Sequence, residues 1–307
     1  MKISKPLQKV LDEIAQSDSL WLKMNPQALL LHQWAETEQM PSDPFDIDVL
    51  LRQGLYSECT EAQWRLVRFK FPDLLALNEV AAYRRITGDS PLEYAILMSL
   101  SARAEWIAAK INWRYERETL WGPLMLASAS HDRLATQRLV DHWKVWTDKP
   151  DNPALVPITE AIVALIENNP AELSAATDKF RKSVGSYLKG LQAALVGIAN
   201  NHPANFSDGM QQMLKQFRGY LFNEKTSALI NPHAQGLFEL VRVFSPECAA
   251  AFDAQQGLPW DAEYSEAIRN LSDIQPELAQ LDLPEDLRKP LISMEALDWP
   301  PDNRPKK

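Results

Sequence analysis

Between Pro157 and Leu221 the apolar residues return every three or four positions, in four successive runs. Ile158, Ile162, Leu165 and Ile166 form one stripe, and Leu173, Ala176, Phe180 and Val184 form the next. Leu188, Leu191, Leu195 and Ile198 follow, then Phe206, Met210, Met213 and Phe217. This period sets each group on one face of a helix, so four amphipathic helices are expected here. Upstream, the stretch from Ser90 to Glu118 passes through Leu92, Ile96, Leu100, Trp106 and Trp113 without a breaker and predicts the longest helix. Another helix is expected from about His131 to Trp146, and a short one around Ala262 to Leu271.

The polar punctuation agrees with the stripes. Eight times a residue stands directly before proline in the manner of a helix start: Asn25, Asp43, Ser90, Asn152, Asn169, His202, Asn231 and Ser245. The first side chain accepts from an orphan N–H of the first turn, and proline supplies a helical φ where it has no bond to lose. His202 is the weakest cap of the set. Ser90 with Glu93, Asn169 with Glu172 and Thr60 with Gln63 have the spacing of a reciprocal capping box. The caps at Asn169 and His202 lie 33 residues apart, close to the period of helix-pair repeats, although the defining tetratricopeptide residues are missing. The fold class expected is all-α: irregular stacked helical hairpins, an α-solenoid or tetratricopeptide-like array. Small residues such as Ala161, Ala175, Ala176, Ala193 and Ala194 would let neighbouring helices approach.

Composition supports this reading. Ten glycines against 21 prolines leave few positions for the tight turns of a hairpin-rich β protein, and 46% hydrophobic residues in a 307-residue chain can fill a large core. The run Asp148 to Asn152 is the candidate break, dividing the chain into an N-terminal helical half (1–148) and a helical-hairpin half (149–271). Residues 272–307 carry six prolines and form an expected Pro-rich, acidic C-terminal tail, packed on the body through Leu281, Leu283, Leu287, Leu291, Ile292, Leu297 and Trp299. A single continuous domain is the alternative division. Two cysteines, Cys59 and Cys248, are too few for a disulfide framework, have no C-x-x-C partner and are expected as buried or half-buried thiols in a reducing compartment. Asp12, Glu13 and Gln16 interrupt any signal-peptide core, and no apolar run reaches membrane-spanning length, so a cytoplasmic location is expected.

Candidate chemistry is sparse. None of the five histidines stands in an H-E-x-x-H pattern, and no Gly-rich phosphate loop, G-x-S-x-G turn or dinucleotide fingerprint occurs. His131-Asp132 spells the dyad of HD phosphohydrolases, but that site needs a further His and Asp in space, and the pair is read as a helix start. No enzyme activity, cofactor or metal is expected, with an HD-type metal-dependent hydrolase as the outlying alternative. Net charge is −9, and the acids gather late: from Ser245 to Asp302 there are 13 acidic residues against 3 basic ones. Such an end repels nucleic acid and attracts a basic protein. Asp261, Glu263 and Glu266 are the candidate contacts, and their replacement by lysine is expected to slow association. Of the ten tryptophans, Trp113, Trp121 and Trp260 are candidate interface anchors, while core packing is the expected role for tryptophans in a helical array.

Three stretches carry a family resemblance: Ser90-Pro91-Leu92-Glu93-Tyr94 through Trp113, the Ala- and Leu-rich hairpins from Ala161 to Leu195, and Asn231-Pro232-His233 through Cys248 to Leu258-Pro259-Trp260. Together they span roughly residues 90 to 265, and they resemble the immunity protein 49 family of bacterial polymorphic toxin systems. The resemblance implies an all-helical cytoplasmic protein that binds and neutralises a cognate toxin as a stoichiometric inhibitor; from the acidic balance and the short apolar runs, no nucleic-acid or membrane partner is expected. A helical-repeat adaptor or chaperone for a secreted effector is the alternative expectation.

Overall fold

The computed structural model describes residues 8–9, 11–12, 24–39, 76–111, 119–145, 150, 152–181, 184–220 and 229–295. These residues are predominantly helical and contain no strand. The helices are α1 (Pro26–Gln39), α2 (Ala76–Thr87), α3 (Pro91–Ile111), α4 (Trp121–Ala129), α5 (Arg133–Val145), α6 (Val156–Ile166), α7 (Pro170–Thr177), α8 (Ser186–Ala199), α9 (Pro203–Tyr220), α10 (Pro232–Phe244), α11 (Pro246–Ala250), α12 (Ala262–Ala267), α13 (Gln275–Ala279) and α14 (Glu285–Arg288). A 3₁₀ turn, Ile268–Asn270, continues α12, and a π turn, Lys289–Ser293, continues α14.

Most expected caps are in place. Asn25, Asn169 and Asn231 accept through Oδ1 from the N–H of Ala28, Glu172 and Ala234 at 2.8, 3.2 and 3.0 Å. Ser90 forms the full capping box: its Oγ accepts from the Glu93 N–H at 3.2 Å while its own N–H donates to Glu93 Oε2 at 3.0 Å. The box at Asn169 is half-formed, because the Asn169 N–H donates to the Ala164 carbonyl instead. Two expectations need correction. Asn152-Pro153 opens a turn, and α6 starts three residues later at Val156. Ser245 precedes α11 without a side-chain cap bond, its hydroxyl donating to Asn201 Oδ1 at 3.3 Å. Asp43 and Thr60 lie outside the described residues.

The apolar stripes locate the core. The expected faces of α8 and α9 are buried throughout, from Leu188 to Ile198 and from Phe206 to Phe217. These two helices approach very closely, since a Cβ on Gly209 would stand 2.3 Å from the Ala194 nitrogen. The second helix is shorter than its stripe implies: α7 ends at Thr177, and Phe180 and Val184 belong to the connection that follows. α4 is the most enclosed helix described, with all nine residues buried. It packs against α3, α5, α6 and, far along the chain, α10. At that last contact a Cβ on Gly236 would meet the Met125 carbonyl oxygen at 1.9 Å, so only glycine permits the spacing.

Three of the connections are the same device. After α4, α6 and α8 a residue in the left-handed conformation follows, His131, Asn168 or Asn201, with φ of 55°, 52° and 47°. The next N–H reaches back to the first carbonyl of the closing turn: Asp132 to Ala127 at 2.8 Å, Asn169 to Ala164 at 2.8 Å, His202 to Gly197 at 2.7 Å. This is a Schellman closure whose last residue is also the N-cap of the following helix. Two helices are thereby joined without an intervening loop. His202 caps through its ring, Nδ1 accepting from the Asn205 N–H at 3.3 Å.

Contacts cross both boundaries expected from sequence. Tyr264 donates to the Ala129 carbonyl, and the Arg103 guanidinium reaches the carbonyls of Leu291 and Ile292. Ile274, Leu278, Leu287, Leu291, Ile292 and Met294 are buried in the same core.

Candidate functional site

Three buried charged side chains, Arg103, Asp132 and Glu239, meet around the joint between α4 and α5. Asp132 caps α5, its Oδ1 accepting from the Ala135 N–H at 2.9 Å. The same carboxylate takes a bidentate pair from Arg103 of α3, Nε to Oδ2 at 2.6 Å and Nη2 to Oδ1 at 2.9 Å, and accepts from the Ser99 hydroxyl. Both charged side chains are fully shielded from solvent. Arg103 directs its remaining donors to Ile292 O at 2.5 Å, Leu291 O at 3.2 Å and Gln275 Oε1 at 2.5 Å. A buried pair is tolerated only when its other hydrogen-bonding atoms are satisfied, and here the satisfaction comes from the segment around α13 and α14.

His131 turns the other way. Its Nδ1 stands 2.6 Å from the Leu271 carbonyl oxygen and its Nε2 3.2 Å from Glu239 Oε2. Glu239, on α10, also accepts from Arg242 Nη1 at 2.7 Å, and its Oε1 is buried without a hydrogen-bond partner among the described residues. Burial pulls the His131 pKa down, but the hydrogen bonds to Glu239 and Leu271 and the Glu239 charge outweigh it, so the net shift is upward. The left-handed backbone at His131 costs about 1 kcal/mol or more for a residue with a Cβ. Beside this ring opens a cleft of about 510 Å³, walled by Ala127, Leu165, Ile166, Leu240 and Val243 and rimmed by Arg133. Val243 is 85% exposed.

The network runs on along α10. Arg242 donates to the Ser265 carbonyl at 3.1 Å, the Ser265 hydroxyl to Gln235 Oε1 at 2.6 Å, and Gln235 Nε2 to the Asp261 carbonyl at 3.0 Å. Asp261 in turn caps α12 through the Tyr264 N–H at 3.1 Å and pairs with Arg85 Nε at 2.7 Å. The residues Gln235, Glu239 and Arg242 fall on one face of the helix, which is why one element can serve as the spine of the seam. Tyr94 meets Tyr264 edge to face at 4.7 Å, and burial drives the pKa of both phenols upward.

These positions change the reading of the candidate contacts. Asp261 was expected on a binding surface, yet it is buried, because it must cap α12 and neutralise Arg85. Trp121 is likewise buried, its ring edge-on to His233 at a centroid distance of 5.0 Å. Trp260 is half-buried in an aromatic cluster, 5.2 Å from Phe238 and 5.0 Å from Phe252. Glu263 and Glu266 are exposed, the first also reaching Arg85 Nη2 at 2.9 Å and the second Arg269 at 2.9 Å. Trp113 lies outside the described residues. The His131-Asp132 dyad does not converge on one point: Asp132 is consumed by Arg103, Ser99 and its capping bond, and His131 faces Glu239. Among the described residues no group of three or more His, Cys, Asp or Glu side chains has a metal-binding arrangement, and no helix is long and apolar enough to cross a membrane.

Sequence reasoning missed Arg103 and Glu239. A signal existed for the first, an arginine inside the apolar run of α3, since a charge there demands a buried partner. Comparison with protein-family models, with curated proteins and with solved structures finds no match to this chain.

Proposed function

We propose that this chain is an immunity protein, binding and neutralising a cognate bacterial toxin as a stoichiometric inhibitor in the cytoplasm. In this reading the helical hairpins stack as an irregular array, the residues after Leu271 brace it, and a rigid surface is offered to one basic partner. The observation that carries the proposal is the excess of exposed acids between Ser245 and Glu295. Glu247, Asp253, Glu263, Glu266, Asp282, Glu285, Asp286 and Glu295 are all exposed there, while Arg269 and Lys289 are the exposed cations among the described residues of that stretch. Clustered charge of one sign accelerates encounter with an oppositely charged protein and penalises wrong partners. The family resemblance of residues 90 to 265 points the same way.

The test is a search for a toxin encoded beside this chain and its co-expression with the chain, scored by growth, followed by association kinetics with the purified toxin at low salt. Rescue is expected, together with association about tenfold slower for the double variant Glu263→Lys, Glu266→Lys. Asp261 is left untouched, since its replacement would disrupt α12. Growth arrest in the presence of the chain would refute the function. Rescue with unchanged association kinetics would remove the exposed acids from it.

A further inference from the structure

The three loop-free joints do not share the residue at their left-handed position. Asparagine holds the left-handed position at 168 and 201, as its short amide tolerates that backbone, whereas histidine holds it at 131. The two oxygens that face the His131 ring, the Leu271 carbonyl and Glu239 Oε2, can only accept. A neutral imidazole owns one N–H and so can satisfy one of them; the imidazolium owns two. We propose that His131 is a proton-operated clamp: its protonated ring ties the α4–α5 joint to α10 and to Leu271 at once, and loss of the proton to solvent releases one of the two ties.

Several features make the clamp more than a buried contact. The cleft beside the ring leaves it 21% exposed, which gives water a route to the proton. The backbone of the same residue is tied to the same segment, its carbonyl accepting from the Ile274 N–H at 3.4 Å. The charged groups around it are Glu239 and Arg242 on α10, Asp132 and Arg133 on its own side, and Asp273 beyond Leu271. Asp132 is already neutralised by Arg103, and Arg242 opposes a second positive charge, so Glu239 is the group that favours protonation. The direction of the His131 shift agrees.

Equilibrium unfolding of the full chain across pH, with NMR titration of the His131 ring, tests the clamp. A histidine whose folded pKa lies above its unfolded value, about 6.5, stabilises fully below that value and loses its contribution as pH rises through the folded pKa. The wild-type unfolding constant is therefore expected to rise across this window, by up to about tenfold for every pH unit that separates the folded pKa from the unfolded one. His131→Asn, which places the residue of the other two joints at this position, is expected to fold and to lose that rise. Glu239→Gln is expected to bring the ring's titration down toward or below the ordinary value. The proposal is overturned if His131→Asn keeps the wild-type slope, or if the wild-type ring titrates at or below its unfolded value. The second readout needs only the wild-type protein, so a variant that fails to fold leaves the question decidable.

Discussion

The contact between α4 and α10 has a histidine near each end, and the two are treated oppositely. His233, in the first turn of α10, is enclosed by Trp121 and Tyr187, with the Tyr187 hydroxyl 3.5 Å from Nδ1. Burial alone acts there and lowers its pKa to about 4, so the ring is neutral. At the other end His131 meets acceptors at both nitrogens, and the hydrogen bonds to Glu239 and Leu271 shift its pKa upward despite burial. Between them Gly236 presses on Met125, fixing the distance at which both environments exist. Burial by itself does not decide the state of an imidazole; the partners brought within reach of its nitrogens do.

The largest effect is expected at the His131 end. Asp132→Ala would strip the buried Arg103 of its counter-charge and α5 of its cap, costing about 3–5 kcal/mol by urea unfolding. Adding Arg103→Leu to it should recover part of that loss, because an apolar side chain has no charge to strand. At the opposite end, acid should act through His233. A histidine whose folded pKa is depressed keeps its contribution above about 6.5 and loses it as pH falls toward 4, up to about 3 kcal/mol over that interval. His233→Gln should flatten this acid limb while leaving the alkaline limb assigned to His131. Gly236→Ala attacks the spacing itself. It should cost about 1–3 kcal/mol and weaken both pH dependences together, since α10 must move away from Met125. The smallest effect belongs to the exposed cap of α9, where His202→Ala should cost about 0.5–1 kcal/mol with no change in either limb.

Where local chemistry decides the backbone, this fold is readable from its residues. The stripes of α8 and α9 and the caps at Asn25, Ser90, Asn169 and Asn231 act within one turn of chain, so these four side chains accept from the helix starts as expected, whereas Asn152 and Ser245 do not. The choice of α4 as the enclosed centre was not readable, because it depends on α10 meeting it across more than a hundred residues. The clue left in the chain was Gly236, a helix breaker by propensity that is favoured only when a second backbone lies against it. His131-Asp132 shows the same limit. Its role as a helix start followed from sequence, but Arg103 and Glu239 arrive from separate helices, and no spacing rule connects them. The charge of the late segment was visible, while the burial of Asp261 within it required seeing Arg85 and the first turn of α12.

The loop-free joints have a mechanical corollary. Proteases need an extended stretch of several residues that can be drawn into their active sites, and the bends at His131, Asn168 and Asn201 have every residue committed to one helix or the next. Each hairpin should therefore leave a limited digest uncut at its tip, with α4–α5, α6–α7 and α8–α9 travelling as intact pairs.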